Sequence, residues 1–337
     1  MKQFIIILLI ALLFTACDSS KASTEPDIPD FEPEPIDIPV QYIKITPQVA
    51  IEMMSGDVII LDVRTQEEFD EGYIKNAVLL PDYEIRERAA ELVPDKNQVI
   101  LIYCRRGRRS ENAAKELLEM GYTNVYDFGG LETDWTGEVI ISIDYSVIMR
   151  INENMPELIF RIEGVHTLNP DRADETNITK LTIYNENGSI KQEFHDLDTA
   201  TWTGNEPYGL VFDDFNFDGY LDISLWRFQG GTIMNFPSYY WLWNDETGEF
   251  IRNDELEAIS AEAMIGTDSD DELLTAFTRH GAWGHTIVYY RFIENSFVKV
   301  KEEDVRIADF SDEEAGILVT ITELTDGEWV ITDEYYM

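Results

Sequence analysis

The stretch that most constrains the fold is QVILIYCRRGRRSENAAKELL, which runs from Gln98 to Leu118. Its apolar run from Val99 to Tyr103 is short, uninterrupted and rich in β-branched residues, as in a buried parallel strand. Ser110 is a favourable N-cap residue, and the apolar side chains after it recur at helical spacing: Ala113, Ala114, Leu117 and Leu118. The pattern therefore predicts a strand, a tight loop that starts at Cys104, and a helix capped by Ser110.

Cys104 is predicted to stand where the strand ends and to face the start of the helix. Backbone N–H groups and the positive end of the helix dipole converge at such a position, so an anion is favoured there. The positive field is strengthened by four arginines within five residues: Arg105, Arg106, Arg108 and Arg109. This setting favours the thiolate, which is the nucleophilic form of cysteine. A buried apolar cysteine beside a solvated basic turn is the alternative interpretation.

The residues around this loop, 41–137, alternate between strand and helix patterns. Strands are predicted at 43–45, 58–63, 77–80 and 125–128, in addition to the strand before Cys104. Helices are predicted after Thr46-Pro47, after the capping box Thr65-Gln66-Glu67-Glu68, and over 85–92. Repeated βα units predict an α/β domain with a parallel sheet and helices on both faces. Ligands of such sheets bind beyond the carboxyl ends of the strands, where Cys104 is expected.

Several short motifs accompany the cysteine loop in this domain. They are Leu61-Asp62-Val63-Arg64 with Glu68-Phe69, Gly72-Tyr73-Ile74, Asn76-Ala77, Ala113-Ala114, Leu117, Gly121-Tyr122, Val125, Gly129-Gly130 and Trp135. Together with Tyr103 to Ser110, this set resembles the rhodanese domain over nearly all of 41–137. One departure is Tyr73, where the family commonly has a histidine, at a position that is usually not catalytic.

The resemblance implies a sulfurtransferase that needs no cofactor. Cys104 would take a sulfane sulfur from a small anionic donor such as thiosulfate, become a persulfide, and pass the sulfur to cyanide or a thiol. The side chains and N–H groups expected to hold the persulfide and the donor are those of Arg105, Arg106, Gly107, Arg108, Arg109 and Ser110. Arg109 is the first choice for the donor, because the family usually keeps an arginine there. Asp62 and Arg64 are expected to brace the sheet end.

Two other functions are weighed against this one. The spacing of cysteine and arginine in protein tyrosine phosphatases would place the arginine at position 110, where this chain has Ser110. Rhodanese-like phosphatases also have a longer loop, so phosphatase activity is disfavoured. The remaining alternative is a binding or interaction protein whose rhodanese domain carries persulfide, or senses redox state, with little turnover.

The first forty residues predict a membrane anchor and a spacer. Residues 1–17 have a charged start, an apolar core of signal-peptide length and the lipobox-like end Phe14-Thr15-Ala16-Cys17. This end resembles that of bacterial lipoproteins, which implies acylation of Cys17 and a protein held on the extracytoplasmic face of the cell membrane. Residues 18–40 alternate prolines with acids and are expected to form an extended tether.

Residues 138–337 have a different composition, with 12 Lys/Arg against 41 Asp/Glu in a chain whose net charge is −41. This acidity argues against nucleic-acid binding. We expect a connection over 138–160 and a mainly antiparallel β domain over 161–337. Hairpins are predicted over 181–194, 239–251, 287–300 and 317–332, because alternating segments flank turn residues there. A helical turn is predicted over 255–260.

One loop of the acidic region stands out. Asp214, Asn216, Asp218 and Asp222 have the spacing of D-x-N-x-D-G-x-x-D, which can wrap a calcium ion. An EF-hand would require a glutamate where Leu225 stands, so the stretch instead resembles calcium loops between strands of β domains. The alternative is a metal-free turn whose carboxylates accept bonds from backbone N–H groups. The sequence leaves both interpretations open.

Overall fold

The structure is a computed structural model that describes residues 42–202, 204, 206–228, 236–281, 284–307 and 316–336. The predicted signal sequence, the lipid attachment at Cys17 and the tether over 18–40 lie outside these residues.

A five-stranded parallel sheet forms the N-terminal domain, with the strand order β1-β5-β4-β2-β3. Its strands are β1 (Ile43–Lys44), β2 (Val58–Asp62), β3 (Ala77–Leu79), β4 (Val99–Cys104) and β5 (Val125–Gly130). The strand that ends at Cys104 is central and almost wholly buried, since apolar residues fill both of its faces. The α/β fold class predicted for this domain is therefore confirmed.

The helices between these strands begin largely where the sequence predicts. They are α1 (Pro47–Met53), α2 (Gln66–Asp70), α3 (Ile85–Leu92) and α4 (Arg108–Glu119). Thr46 caps α1, and Thr65 with Glu68 forms the capping box of α2. The predicted Ser110 cap is wrong, because α4 begins at Arg108 after the cap residue Gly107. In the described part of the chain, no helix is both long and apolar enough to cross a membrane.

Two apolar cores enclose the parallel sheet. On one face α3 and α4 pack against the sheet, and the buried residues there are Leu61, Val63, Leu80, Ile85, Ala89, Val93, Ile100, Ile102, Cys104, Ala113, Ala114, Leu117, Tyr122 and Val125. On the other face a smaller core combines Ala50 of α1 with Ile60, Ile74, Leu101, Tyr103 and Phe128. Cys104 thus lies at the edge of the α3–α4 core, which fixes the strand end that carries it.

The region after the parallel sheet is mainly antiparallel β-structure, which confirms the second part of the predicted fold class. The first sheet contains β6 (Val139–Met149), β7 (Leu158–Leu168), β8 (Glu175–Asn185) and β9 (Ile190–Phe194) in that order. The stretch expected to be a connection, 138–160, therefore contains all of β6 and the start of β7. Its alternating apolar residues pair across the two strands and face the core of this sheet.

Two more antiparallel sheets follow. One contains β10 (Leu210–Asp213), β11 (Asp222–Trp226), β12 (Ser238–Asn244) and β13 (Glu249–Arg252). The other contains β14 (Met264–Asp268), β15 (Leu273–Arg279), β16 (His285–Ile293), β17 (Ser296–Ile307), β18 (Ile317–Thr325) and β19 (Glu328–Tyr336). The helix α5 (Asp254–Glu262) joins them. All four predicted hairpins and the helical turn are present.

The β10–β13 sheet is the middle layer of this region. Tyr239, Trp241 and Trp243 of β12 face the core shared with the β6–β9 sheet. Tyr240 and Leu242 of the same strand face the opposite core, where they meet α5 and the β14–β19 sheet. Strand alternation explains why consecutive aromatic residues enter different cores, so this run has a packing function.

The predicted calcium loop joins β10 to β11, and its polar side chains bond to the loop's own backbone. Asp214 accepts from the N–H groups of Asp218 and Gly219, at 3.1 and 2.9 Å. Asp218 accepts from Tyr220 N at 2.9 Å, and Asn216 donates to Asp218 at 2.8 Å. Across the described ranges, no group of three or more His, Cys, Asp or Glu side chains is arranged to hold a metal ion. These bonds are the ones expected of the metal-free turn, and calcium binding stays a prediction.

Candidate active site

The Cys104 side chain lies at the carboxyl end of β4, at the base of the loop that leads into α4. It is only 1% exposed. The backbone N–H of Gly107 points at its sulfur, with 3.1 Å between Gly107 N and Cys104 Sγ. Gly107 has a φ of +85°, a left-handed conformation that suits glycine and that turns the loop into the helix. The loop thus places a fixed hydrogen-bond donor on the cysteine sulfur.

The turn after β5 packs against the cysteine loop and bonds to its backbone. Leu131 N donates to the Cys104 carbonyl at 2.8 Å, and Glu132 N donates to the Arg105 carbonyl at 3.1 Å. A Cβ atom on Gly130 would lie 2.6 Å from both Arg105 O and Arg106 Cα. Only glycine fits at position 130, because the backbone there lies directly against the cysteine loop. This close contact explains why a glycine accompanies the cysteine loop in the sequence.

Ser110 does not face the cavity. It is fully buried in the first turn of α4, and its hydroxyl donates to Asp127 Oδ1 of β5 at 2.8 Å. The same Asp127 oxygen accepts from Gly129 N at 3.0 Å. Ser110 therefore ties the start of α4 to β5 through its side chain. The contact expected between its backbone N–H and the persulfide stays a prediction.

A cavity of about 430 Å³ opens above the cysteine, and it is lined by Cys104, Arg105, Arg106, Arg108 and Arg109. The structure thus brings the four predicted arginines together around one sulfur atom. Arg108 and Arg109 belong to the first turn of α4, while Arg105 and Arg106 belong to the loop before it. The concentrated positive charge makes this cavity suited to an anion.

Three of the four arginines already have carboxylate partners. Arg109 makes two hydrogen bonds of 2.7 Å to Glu68, and these bonds hold the pKa of Glu68 down at about 2. Glu132 accepts from Arg105 and, at 3.3 Å, from Arg106. Within the described part of the chain, the Arg108 guanidinium has no such partner. Arg109, the first choice from the sequence, is therefore the arginine most firmly held by the protein itself.

Asp62 and Arg64 brace the end of β2, as expected. The Arg64 guanidinium bonds to both oxygens of Asp62, at 2.6 to 2.9 Å, and to the Gly72 carbonyl at 2.6 Å. Asp62 is fully buried and Arg64 is 5% exposed, so neither side chain lines the cavity. The pair fixes the end of β2 just before α2, the helix whose Glu68 bonds to Arg109.

Sequence reasoning missed three residues that shape the site: Glu68, Glu132 and Asp127. Glu68 was recognised for its local role in the capping box, and its contact with Arg109 spans 41 positions. Glu132 lies two positions after Gly129-Gly130, so its closeness to the loop follows only from the pairing of β4 with β5. Asp127 gave no signal, because a single acid inside a strand has no local pattern.

A parallel α/β sheet with a cysteine loop at the end of its central strand is the arrangement of rhodanese-like domains. The family model "Rhodanese-like domain" matches residues 46–137. Thiosulfate sulfurtransferase PspE of Escherichia coli (strain K12) is 43% identical over 72 residues, which are 21% of this chain and 69% of that protein. The chain therefore belongs to the rhodanese-like family through this domain.

Other known proteins match the same part of the chain. Thiosulfate sulfurtransferase GlpE of Coxiella burnetii is 37% identical over 78 residues, or 23% of this chain and 71% of that protein. A solved structure, a rhodanese with anions from E. coli, is 42% identical and covers 22% of this chain and 87% of its own, with a TM-score of 0.22. Each of these three matches spans less than a quarter of the chain.

Proposed function

We propose that this protein is a rhodanese-type sulfurtransferase that moves sulfane sulfur through a persulfide on Cys104. The observation that supports it most directly is the combination of the Gly107 N–H on the cysteine sulfur, at 3.1 Å, with an arginine-lined cavity above the same atom. The first provides a donor for a sulfur anion, and the second provides positive charge for an anionic substrate. Its thiosulfate sulfurtransferase relatives support the same reaction class.

The reaction has two displacement steps. The Cys104 thiolate attacks the outer sulfur of thiosulfate, the S–S bond of the donor breaks, and sulfite leaves with the bonding electrons. The acceptor, cyanide or a thiolate, then attacks the outer sulfur of the persulfide and regenerates the Cys104 thiolate. The charge that develops on the leaving sulfite lies in the cavity of the arginines, and the Gly107 N–H donates to Cys104 Sγ, the atom that carries the negative charge in the thiolate.

A thiocyanate assay on the full chain tests this proposal. Protein given thiosulfate and cyanide should form thiocyanate, and Cys104→Ser should reduce the rate to the uncatalysed level, because serine is not a nucleophile for sulfane sulfur under these conditions. Turnover retained in Cys104→Ser would contradict the proposal. Persulfide formation without turnover would instead favour the carrier or redox-sensing alternative.

We also propose that the chain acts outside the cytoplasm as a lipoprotein anchored through Cys17. The support for this is the lipobox-like sequence at residues 14–17 and the acidic, proline-rich spacer over 18–40. In cells that carry out lipoprotein processing, the protein should fractionate with membranes and Cys17→Ser should release it. A wild-type protein found only in the soluble fraction would contradict this part of the proposal.

A further inference from the structure

The charge of the cavity above Cys104 is lower than its four arginines suggest. Glu132 lies on the turn after β5 and holds both Arg105 and Arg106, while Glu68 holds Arg109. The two carboxylates differ in their exposure and in how they bond to the arginines. Glu68 is 18% exposed and bonds in a bidentate arrangement, whereas Glu132 is 42% exposed and bonds to each of its arginines once. An incoming anion can therefore replace Glu132 more easily than Glu68.

Glu132 is held at this place by the backbone. Its N–H donates to the Arg105 carbonyl at 3.1 Å, and Gly130 lets the turn lie directly against the loop. The carboxylate therefore stays beside the two guanidinium groups and competes with any anion that enters the cavity. Arg108 has no such competitor among the described residues, and it lines the same cavity.

We propose that Glu132 is a specificity-determining residue, which weakens binding of anionic sulfur donors by occupying Arg105 and Arg106 and leaves Arg108 as the main donor-binding side chain. This inference rests on the proposed sulfurtransferase function and deepens it. The donor expected to be most sensitive is a small dianion such as thiosulfate, since its binding energy depends on the net positive charge of the cavity. The reaction of Cys104 with a neutral alkylating reagent should depend much less on this charge.

Protection of Cys104 by sulfate tests the inference without requiring turnover. Full-length protein is alkylated with iodoacetamide at constant ionic strength while sulfate replaces chloride, and the rate at Cys104 is read by peptide mass spectrometry. The concentration of sulfate that halves the rate measures anion binding in the cavity. For Glu132→Gln we expect this concentration to fall about two- to fivefold, the range of an exposed ion pair. The KM for thiosulfate should fall with it, and kcat should change little.

Matched variants separate a local effect from a change in net charge. Glu119→Gln removes a carboxylate that pairs with Arg86 at the far end of α4, and it should leave protection unchanged. Glu132→Asp keeps the charge and should stay close to wild type. Arg108→Ala should raise the half-protecting concentration about tenfold, as expected for loss of a charge-assisted hydrogen bond.

The outcomes distinguish this inference from the proposed function. Equal half-protecting concentrations for Glu132→Gln and wild type would overturn the inference, even if thiocyanate forms normally. An equal fall of the half-protecting sulfate concentration in Glu132→Gln and Glu119→Gln would also overturn the inference, because the change in net charge alone would then explain both results. If the sulfate result is as expected but wild type never accepts sulfur from any donor, the sulfurtransferase proposal fails while the role of Glu132 in anion binding stands.

Discussion

At the scale of single residues, carboxylates decide what the cysteine loop offers to a substrate. The loop carries four arginines, yet Glu68 and Glu132 engage three of them. Glu68 combines two functions, because one of its oxygens closes the capping box of α2 while both oxygens bind Arg109. The position of α2 and the direction of Arg109 are consequently coupled through one side chain.

Glu68→Gln tests this coupling through the pH dependence of stability. The pKa of Glu68 lies near 2, below its ordinary value of 4.5, so the ion pair stabilises the fold above about pH 4.5 and is lost as the pH falls towards 2. Glutamine keeps the capping box but loses the ion pair, so the free energy of unfolding should drop by on the order of 1–2 kcal/mol at neutral pH. Urea unfolding at pH 7 and pH 3 should show this deficit shrinking in acid. A deficit that is independent of pH would contradict the argument.

Much of the site could be predicted from the sequence. The residues that could not be predicted share one property. Cys104, the arginines and the Asp62–Arg64 brace follow local patterns or a family motif. Glu68, Glu132 and Asp127 reach the loop only because distant strands and helices meet at the sheet edge. The prediction of a Ser110 cap was wrong for a local reason. Gly107 takes the left-handed conformation, and α4 therefore starts at Arg108, three residues before a helix capped by Ser110 would start.

At the scale of elements, strand alternation and turn residues explain why the hairpins were predictable, while their grouping into three antiparallel sheets was not. The β10–β11 connection shows the difference. Its spacing of acids predicts calcium, but Asp222 is fully buried and accepts from Phe215 N at 2.9 Å and from Trp243 N at 2.8 Å. This carboxylate therefore connects the loop to β12, a contact that the motif itself does not contain.

The buried Asp222 carboxyl predicts how the stability of the fold depends on pH. Its burial raises the pKa to about 8 in spite of the two backbone N–H bonds. Because the folded state retains a proton that the unfolded state releases above its ordinary pKa of 3.8, stability should fall as the pH rises from about 4 to about 8. Chemical unfolding at several pH values should show this slope in wild type and a flatter one in Asp222→Asn. Parallel slopes would contradict a raised pKa.

Calcium can be examined in the same samples. An ion bound by Asp214, Asn216, Asp218 and Asp222 would require the ionised form of Asp222, so it would raise the thermal midpoint most at high pH. An equal thermal midpoint with calcium and with a chelator would contradict calcium binding and support the metal-free turn.

At the scale of the whole molecule, the parallel-sheet domain and the first antiparallel sheet are joined by backbone contacts. Tyr73 N donates to the Ile140 carbonyl at 2.8 Å, and Ile140 N donates back to the Tyr73 carbonyl at 2.7 Å. A Cβ atom on Gly72 would lie 2.9 Å from Val139 Cγ1. The carbonyl of Gly72 accepts from Arg64, so this junction is connected to the brace beside the site.

Gly72→Ala and Val139→Ala test whether this junction contributes to the stability of the whole chain. Gly72→Ala should cost about 1–3 kcal/mol, because its φ of +143° is unfavourable for alanine and its new methyl group meets Val139. Adding Val139→Ala should recover part of that loss, which a double-mutant cycle on the full chain measures. Strictly additive effects of the two substitutions would contradict a contact between the new methyl group at position 72 and Val139.

A mass measurement can show whether Cys104 carries transferable sulfur. Full-length protein is incubated with thiosulfate, freed of reagent and examined by intact mass and peptide mapping. We predict a gain of one sulfur atom at Cys104, complete removal of that sulfur by cyanide as thiocyanate, and no gain in Cys104→Ser. A wild-type protein that gains no sulfur at Cys104, or a Cys104→Ser protein that gains as much, would contradict the account.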